Sequence, residues 1–168
     1  MTKPVFATDD VPDADEVNEF FVNINFIRKA IQTDRATTTT LADDPELTIP
    51  VVANAIYVAE IVLFYQSQAA VDFKFQPVAP SGSSYRYTLN GLHSSTASVY
   101  SDDQSAALDL SNVANVSGIG AVLAGVQCRG LLRTGGTAGA FKVQWAQLTS
   151  GATTSLMIDS YISLDRKS

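Results

Sequence analysis

The segment that decides the fold is Gly139–Thr149, which reads GAFKVQWAQLT. Phe141, Val143 and Trp145 occupy every second position, and Lys, Gln and Ala fill the positions that follow them. Period-two alternation places each set on one face of a β-strand. The segment therefore predicts a strand in a sheet that has one buried face.

Segments on both sides of this strand have the same character. Val122–Arg133 and Thr154–Leu164 predict two further long strands, and the small, polar linkers 134–138 and 150–153 suit tight connections. One face of the last strand is expected to carry Leu156, Ile158, Ser160, Ile162 and Leu164. A shell of strands with few reactive side chains favours a building block over a catalyst.

Shorter strand patterns fill the region before residue 92. The runs 48–65 and 71–78 are apolar or alternating, and Asn54 breaks the first of them. The alternating run 85–89 ends at the dipeptide Asn90-Gly91, a strong turn signal. These runs predict strands joined by short connections.

The remaining stretches predict turns and edge strands. Asp43–Glu46, with Pro45 inside it, predicts a turn. Residues 93–121 are rich in Ser, Ala and Asp and predict short edge strands and loops. The whole pattern amounts to about eight to ten strands, which indicates an all-β domain of β-sandwich or jelly-roll type.

The N-terminal part predicts an extended arm followed by a short helix. Asp13 is a suitable N-cap, and Glu16 has the spacing of a capping box. Apolar residues then recur at steps of three and four and form one stripe: Val17, Phe20, Phe21, Ile24, Ile27 and Ile31. The first five of these are candidate attachment residues. We therefore divide the chain into an attachment and oligomerisation segment, residues 1–35, and a β-sandwich domain, residues 36–168.

The composition excludes several classes of function. The 168-residue chain has a net charge of −6 and a pI of about 4.5, without a stripe of Lys and Arg, so we expect no nucleic-acid partner. No run approaches the roughly 18 apolar residues of a membrane span, and no secretion signal is visible. The protein is expected to stay in the cytoplasm that makes it until assembly. Its lone Cys128 excludes an internal disulfide.

Residues that carry out chemistry are scarce. His93 is the only histidine and is interpreted as a solvated loop residue, because catalysis would also need an orienting acid and a nucleophile. Cys128 is interpreted as a small buried hydrophobe. Three carboxylate pairs occur in predicted loops without the spacing of a calcium loop: Asp9-Asp10, Asp43-Asp44 and Asp102-Asp103. We expect no enzymatic activity, cofactor or bound metal, and a calcium ion shared between subunits is the alternative that these pairs leave open.

Tyrosines offer a second kind of site. Tyr85, Tyr87 and Tyr100 are candidates for stacking on a host-surface glycan if their rings are exposed together. The competing interpretation is that they are half-buried and keep their hydroxyls at the surface.

Seven stretches outside residues 93–121 form a linear pattern: Val11–Asn18, Asn23–Lys29, Thr37–Val51, Ala53–Tyr57, Phe75–Pro80, Trp145–Gln147 and Ser160–Ile162. The pattern resembles small structural proteins of tailed bacteriophages that infect actinobacteria. In those phages such modules occur in minor tail proteins and in proteins of the virion surface. The motifs are strand and turn patterns without a catalytic signature. The resemblance implies a trimeric β-structure, and it does not distinguish head from tail.

These observations predict a non-enzymatic structural protein of a tailed-phage virion, assembled in the bacterial host cytoplasm. The protein is expected to be a homotrimer that decorates the capsid surface or forms a minor tail component, with decoration preferred. Its N-terminal segment is expected to anchor it to the major capsid or tail proteins of the phage. The alternative is a receptor- or glycan-binding module at the phage tail.

Overall fold

The computed structural model describes residues 24–91 and 108–167, which form eleven β-strands and, within these ranges, no helix. In chain order the strands are β1 (Ile24–Arg28), β2 (Thr33–Arg35), β3 (Ala42–Val51), β4 (Ile56–Ser67), β5 (Phe73–Val78), β6 (Ser84–Asn90), β7 (Ala114–Val116), β8 (Gly120–Arg133), β9 (Gly139–Gln147), β10 (Thr154–Leu156) and β11 (Tyr161–Arg166).

The strands form two antiparallel sheets. Sheet A has the order β6-β8-β4-β11-β1. On the side of β4 that pairs with β11, the last residues of β4 pair with β10, and β10 pairs in turn with β2. Sheet B has the order β3-β9-β5-β7. The two sheets pack as a sandwich, which confirms the predicted all-β architecture.

One apolar core lies between the sheets. Every second residue of β4 from Tyr57 to Tyr65 is buried, and β9 buries the three apolar residues whose alternation predicted it. Phe73 of sheet B stacks on Tyr65 of sheet A with ring centroids 4.6 Å apart, and within sheet B its ring lies tilted against that of Trp145 at 5.7 Å. Burying a large apolar side chain contributes about 1.5–3 kcal/mol to stability, so these contacts between the sheets hold the fold together.

The helix prediction is wrong for residues 24–31. Ile24–Arg28 form β1, which pairs antiparallel with β11. Ile27 packs against the core while Phe26 is exposed, so the two sides alternate as in a strand. Asn and β-branched residues are weak helix formers, and the ladder with β11 therefore outweighs the helix-like spacing. The start of the predicted helix and part of its stripe lie outside the described residues: Val17, Phe20 and Phe21.

The segment predicted as the last long strand consists of two strands. β10 ends at Leu156 and β11 begins at Tyr161, because Asp159 has a φ of 68°, a left-handed conformation that an extended strand does not contain. Ile158 lies in this turn and is 47% exposed instead of buried. Ser160 is buried as predicted, and its hydroxyl donates to the Met157 carbonyl at 2.9 Å.

The turn predicted at Asp43–Glu46 is a bulge within β3. The register against β9 shifts between Asp43 and Thr48. The Asp44 carboxylate stabilises the bulge, because its Oδ1 accepts the backbone N–H groups of Glu46 and Leu47 at 3.0 and 3.1 Å. A local acceptor of this kind offers the backbone an alternative to ladder pairing.

Candidate functional site

The outer face of sheet A, which turns away from the core, carries apolar side chains. On β4 the outward positions alternate with buried ones and are only half-buried. We define the apolar face as six outward residues of sheet A: Phe26, Val58, Val62, Phe64, Leu131 and Tyr161. Phe26 is 57% exposed and Leu131 is 38% exposed. A contiguous apolar patch of this kind marks a surface for interaction.

Cross-strand pairing joins the apolar face into one surface. Val62 of β4 lies opposite Tyr161 of β11, and Val58 lies opposite Leu131 of β8. The ring of Phe26 packs on that of Tyr161 with centroids 5.3 Å apart. The face therefore reaches across β1, β11, β4 and β8, with the polar residues Glu60 and Gln127 between its apolar members.

Glu60 lies in the middle of the apolar face. Tyr161 Oη donates a hydrogen bond to Glu60 Oε1 at 2.9 Å, and Gln127 Nε2 donates to the same oxygen at 3.0 Å. Burial, followed by this bond to the Glu60 carboxylate, raises the pKa of Tyr161. A fixed polar group within an apolar surface can set the register of a partner.

Three arginines lie beside the apolar face on β6 and β8. Arg86, Arg129 and Arg133 line a shallow groove of about 330 Å³ that Leu131 also lines. Where the structure describes ion pairs, none involves these arginines. The charge of one of them, Arg86, affects a nearby acid, Asp109. Hydrogen bonds from Ser111 lower the pKa of Asp109 most, and the charge of Arg86 lowers it further. Clustered like charges are unfavourable, so the groove suits an anionic group.

The outer face of sheet B is polar and its side chains pair with one another. Lys142 Nζ donates to Asp43 Oδ2, and Gln144 Nε2 donates to Asp43 Oδ1 at 2.8 Å. These two bonds, that of Lys142 first, lower the pKa of Asp43. Gln76 Nε2 donates to the Leu110 carbonyl at 2.7 Å. Three polar side chains of this surface, those of Lys142, Gln144 and Gln76, therefore have partners within the chain.

Of the five predicted attachment residues, Ile24 and Ile27 lie in β1, at one edge of sheet A. β1 is the outermost strand on that side of the sheet, and the described chain begins in it, at Ile24. Ile27 points toward the core and packs against it. Because β1 and β2 both pair within sheet A, the sandwich uses residues 24–35, which the sequence assigned to the N-terminal segment.

Two of the predicted glycan-contacting tyrosines lie in the core. Tyr85 and Tyr87 are 0% and 2% exposed, and their rings stack with centroids 4.7 Å apart. Tyr85 Oη donates to the Ala59 carbonyl at 3.2 Å. Stacking on a sugar needs an exposed ring, so the prediction is wrong for these two residues. Tyr100 lies outside the described ranges.

The two residues weighed for reactivity have different outcomes. Cys128 is buried on the inner side of β8, and burial raises the pKa of its thiol, in agreement with the predicted role as a small hydrophobe. His93 lies outside the described ranges.

The sequence reasoning missed a buried ionic cluster between the sheets. Lys29 and Asp44 are fully buried, and Lys29 Nζ lies 2.9 Å from Asp44 Oδ2. Trp145 Nε1 donates to the same oxygen at 3.2 Å. Glu46 accepts the backbone N–H groups of Ala30 and Ile31, both at 3.0 Å, and these bonds, that of Ala30 first, lower its pKa. Buried Lys and Asp are rare unless they are paired.

Two further properties concern the described residues alone. They include no group of three or more His, Cys, Asp or Glu side chains arranged to hold a metal ion. They also include no helix that is long and apolar enough to cross a membrane.

Comparisons with known proteins gave matches among solved structures alone. No protein-family model matches the chain, and a search of curated proteins found no match. The tripod (BppUct-A-L) from the baseplate of bacteriophage Tuc2009 is similar over 99% of this chain and 75% of that chain, with 10% identity and a TM-score of 0.38. A chain of infectious bursal disease virus Gt strain is similar over 86% of this chain and 40% of that chain, with 9% identity and a TM-score of 0.20.

Proposed function

We propose that this protein is a non-enzymatic structural subunit of a tailed-phage virion. It associates with copies of itself through the apolar face of sheet A. The observation that carries the proposal is the contrast between this exposed apolar face and the self-paired polar face of sheet B. The phage assignment follows from the resemblance of the strand and turn patterns, and decoration of the capsid is preferred over a minor tail role.

The outer face of sheet A, with its polar and apolar residues together, is large enough for a specific contact. It is five strands wide, and β4 pairs with β8 over residues 56–65, so strand spacing and rise give roughly 24 Å by 30 Å. The resulting area of roughly 700 Å² is close to the about 800 Å² that each partner buries in a stable interface. We take a second copy of the chain as the occupant because the sequence resemblance implies a homotrimer.

The N-terminal segment is proposed to anchor the protein to the major capsid or tail proteins. Residues 1–23 lead into the edge strand β1, beside the apolar face. Their candidate contacts are Val17, Phe20 and Phe21. A truncation that tests this role should begin the chain at Ile24, since removing more would delete β1 and Lys29. The truncated protein should fold but fail to enter particles, and normal incorporation would refute the anchor.

Light scattering on the purified chain tests the self-association. The wild type should be an oligomer at micromolar concentration, and the double variant Phe26→Glu, Leu131→Glu should be a monomer. Thr48→Glu places one charge of the same sign on an exposed position of sheet B and is the control, which should stay oligomeric. A monomeric wild type, or equal effects of the face and control variants, would contradict the proposal.

A receptor-binding role is the second candidate, and the arginine groove favours it. The groove would bind an acidic polymer of the host surface through Arg86, Arg129 and Arg133. This contact differs from stacking on Tyr85 and Tyr87, which their burial in the core excludes. Binding of the wild type and of Arg129→Ala to host cells, measured over a range of salt concentration, tests this role. Strong binding that falls with salt and with the substitution would favour it over a purely structural function.

A further inference from the structure

The cluster at Lys29 brings an amine and a carboxylate into a closed site between the sheets. Lys29 follows β1 of sheet A, and Asp44 lies in the bulge of β3 in sheet B. Both side chains are 0% exposed, and Lys29 Nζ lies 2.9 Å from Oδ2 and 3.1 Å from Oδ1 of Asp44. Solvent therefore has no access to the pair.

Both reacting groups are held by other contacts. Lys29 Nζ also donates to Thr33 Oγ1 at 2.7 Å and to Glu46 Oε2 at 3.3 Å. Asp44 Oδ1 is held by two backbone N–H groups of the bulge, and Oδ2 by the Trp145 indole. The two Nζ–O distances place the amine beside the Asp44 carboxyl group, and well-oriented intramolecular reactions reach effective molarities of about 10⁵–10⁸ M.

Burial also favours the loss of both charges. Two ions taken out of water are costly unless their attraction and hydrogen bonds compensate for the lost hydration. An amide in their place would be neutral. Because the site is closed to solvent, water from outside does not reach the amide to hydrolyse it. One change opposes the formation of the amide: the Trp145 indole N–H loses its hydrogen-bond acceptor when Oδ2 leaves.

We propose that Lys29 and Asp44 condense to an intramolecular amide between Lys29 Nζ and Asp44 Cγ, with release of one water. Glu46 takes a proton from the Lys29 ammonium, and the free amine attacks Cγ. The two bulge N–H groups bind the charge that develops on Oδ1. Glu46 returns the proton as Oδ2 leaves with the two protons lost by Nζ. The ammonium and carboxylate become amide and water, and Glu46 ends ionised as it began.

The amide would join sheet A to sheet B covalently. The chain contains a single cysteine, so a disulfide within one chain cannot serve this purpose. A bond between residues 15 positions apart closes a loop and restricts the unfolded chain, as other cross-links do. The reaction occurs once per molecule and is independent of the proposed role in the virion.

The mass of the intact full-length chain tests the proposal without any variant. The wild type should be lighter than its sequence by the mass of one water, and the deficit should persist after denaturation. Trypsin should yield one branched peptide that joins the segment containing Lys29 to the segment containing Asp44. A wild-type mass equal to that of the sequence would overturn the proposal and leave a buried ion pair.

Two variants and a control locate the deficit. Lys29→Arg keeps the positive charge and should have the full sequence mass. Glu46→Gln should slow the appearance of the deficit, because no carboxylate remains to relay the proton. Lys142→Arg alters an exposed ion pair of sheet B and should keep the deficit in full. A deficit that survives in Lys29→Arg would overturn the assignment.

Discussion

Sheets A and B share one core but present opposite surfaces to the outside. Sheet A exposes Phe26 and Leu131 around the partly buried carboxylate of Glu60. Sheet B exposes Lys142 and Gln144, which both donate to Asp43. Alternation along each strand makes the inner faces of both sheets apolar, whereas nothing in the fold requires the two outer faces to differ in polarity. The difference therefore points to interaction through sheet A, and it can be tested from the core outward.

The core should be the region where a substitution has the largest effect. Phe73 is fully buried, stacks on Tyr65 of the other sheet and packs on Trp145 of its own sheet. Phe73→Ala should lower the free energy of unfolding by about 3–5 kcal/mol, because it leaves a cavity in a closed site. Urea denaturation followed by Trp145 fluorescence measures this loss. A loss as small as that of a surface substitution would mean that the sheets do not pack as described.

The apolar face should matter for association and not for folding of the single chain. Phe26→Glu with Leu131→Glu should cost at least about 2 kcal/mol of association free energy, the range of residues that dominate an interface. The wild-type melting temperature should then rise with protein concentration, while that of the double variant should not. Differential scanning calorimetry at several concentrations makes the comparison, with Thr48→Glu as the control from sheet B. Concentration-independent melting of the wild type would remove the distinction between the two outer faces.

Acid should loosen the contact between β1 and β3. Backbone N–H groups of Ala30 and Ile31 hold the pKa of Glu46 below its ordinary value of 4.5. A depressed carboxyl pKa adds stability that is fully present above 4.5 and is lost as the pH falls through the folded-state pKa. The urea midpoint should therefore decrease below this pH, and less so in Glu46→Gln. Equal acid sensitivity of the two proteins would show that other carboxyls govern the transition.

The outer face of sheet B should be the least sensitive region. The side chains of Lys142 and Asp43 are 28% and 46% exposed. Lys142→Ala should change the free energy of unfolding by at most about 1 kcal/mol, because solvent screens an exposed ion pair. It should leave the oligomeric state unchanged, as judged by light scattering. Dissociation of the oligomer by this variant would place the interface on sheet B.

Part of the candidate site was predictable from local pattern. Period-two alternation identified β8 and β9, and the apolar run 48–65 with its break at Asn54 identified the end of β3 and most of β4. The same reasoning assigned Ile24 and Ile27 to a helix, because a spacing of three is helical, although both residues lie in the strand β1. It also left open whether Tyr85 and Tyr87 are exposed or half-buried, since alternation alone does not say which face turns inward, and both are buried in the core.

The sequence by itself determined that this chain is an all-β protein, acidic and poor in reactive groups, whereas its expectation of about eight to ten strands is below the eleven of the described residues. Strand content depends on the pattern of neighbouring residues, and charge and reactivity depend on composition, so both can be taken directly from the sequence. Only the tertiary structure decided that Lys29 meets Asp44, that Phe26 packs on Tyr161, and that sheet A keeps its apolar side exposed. Such contacts join residues that are far apart in the chain, and they exist only because sheet pairing and register bring separate strands together.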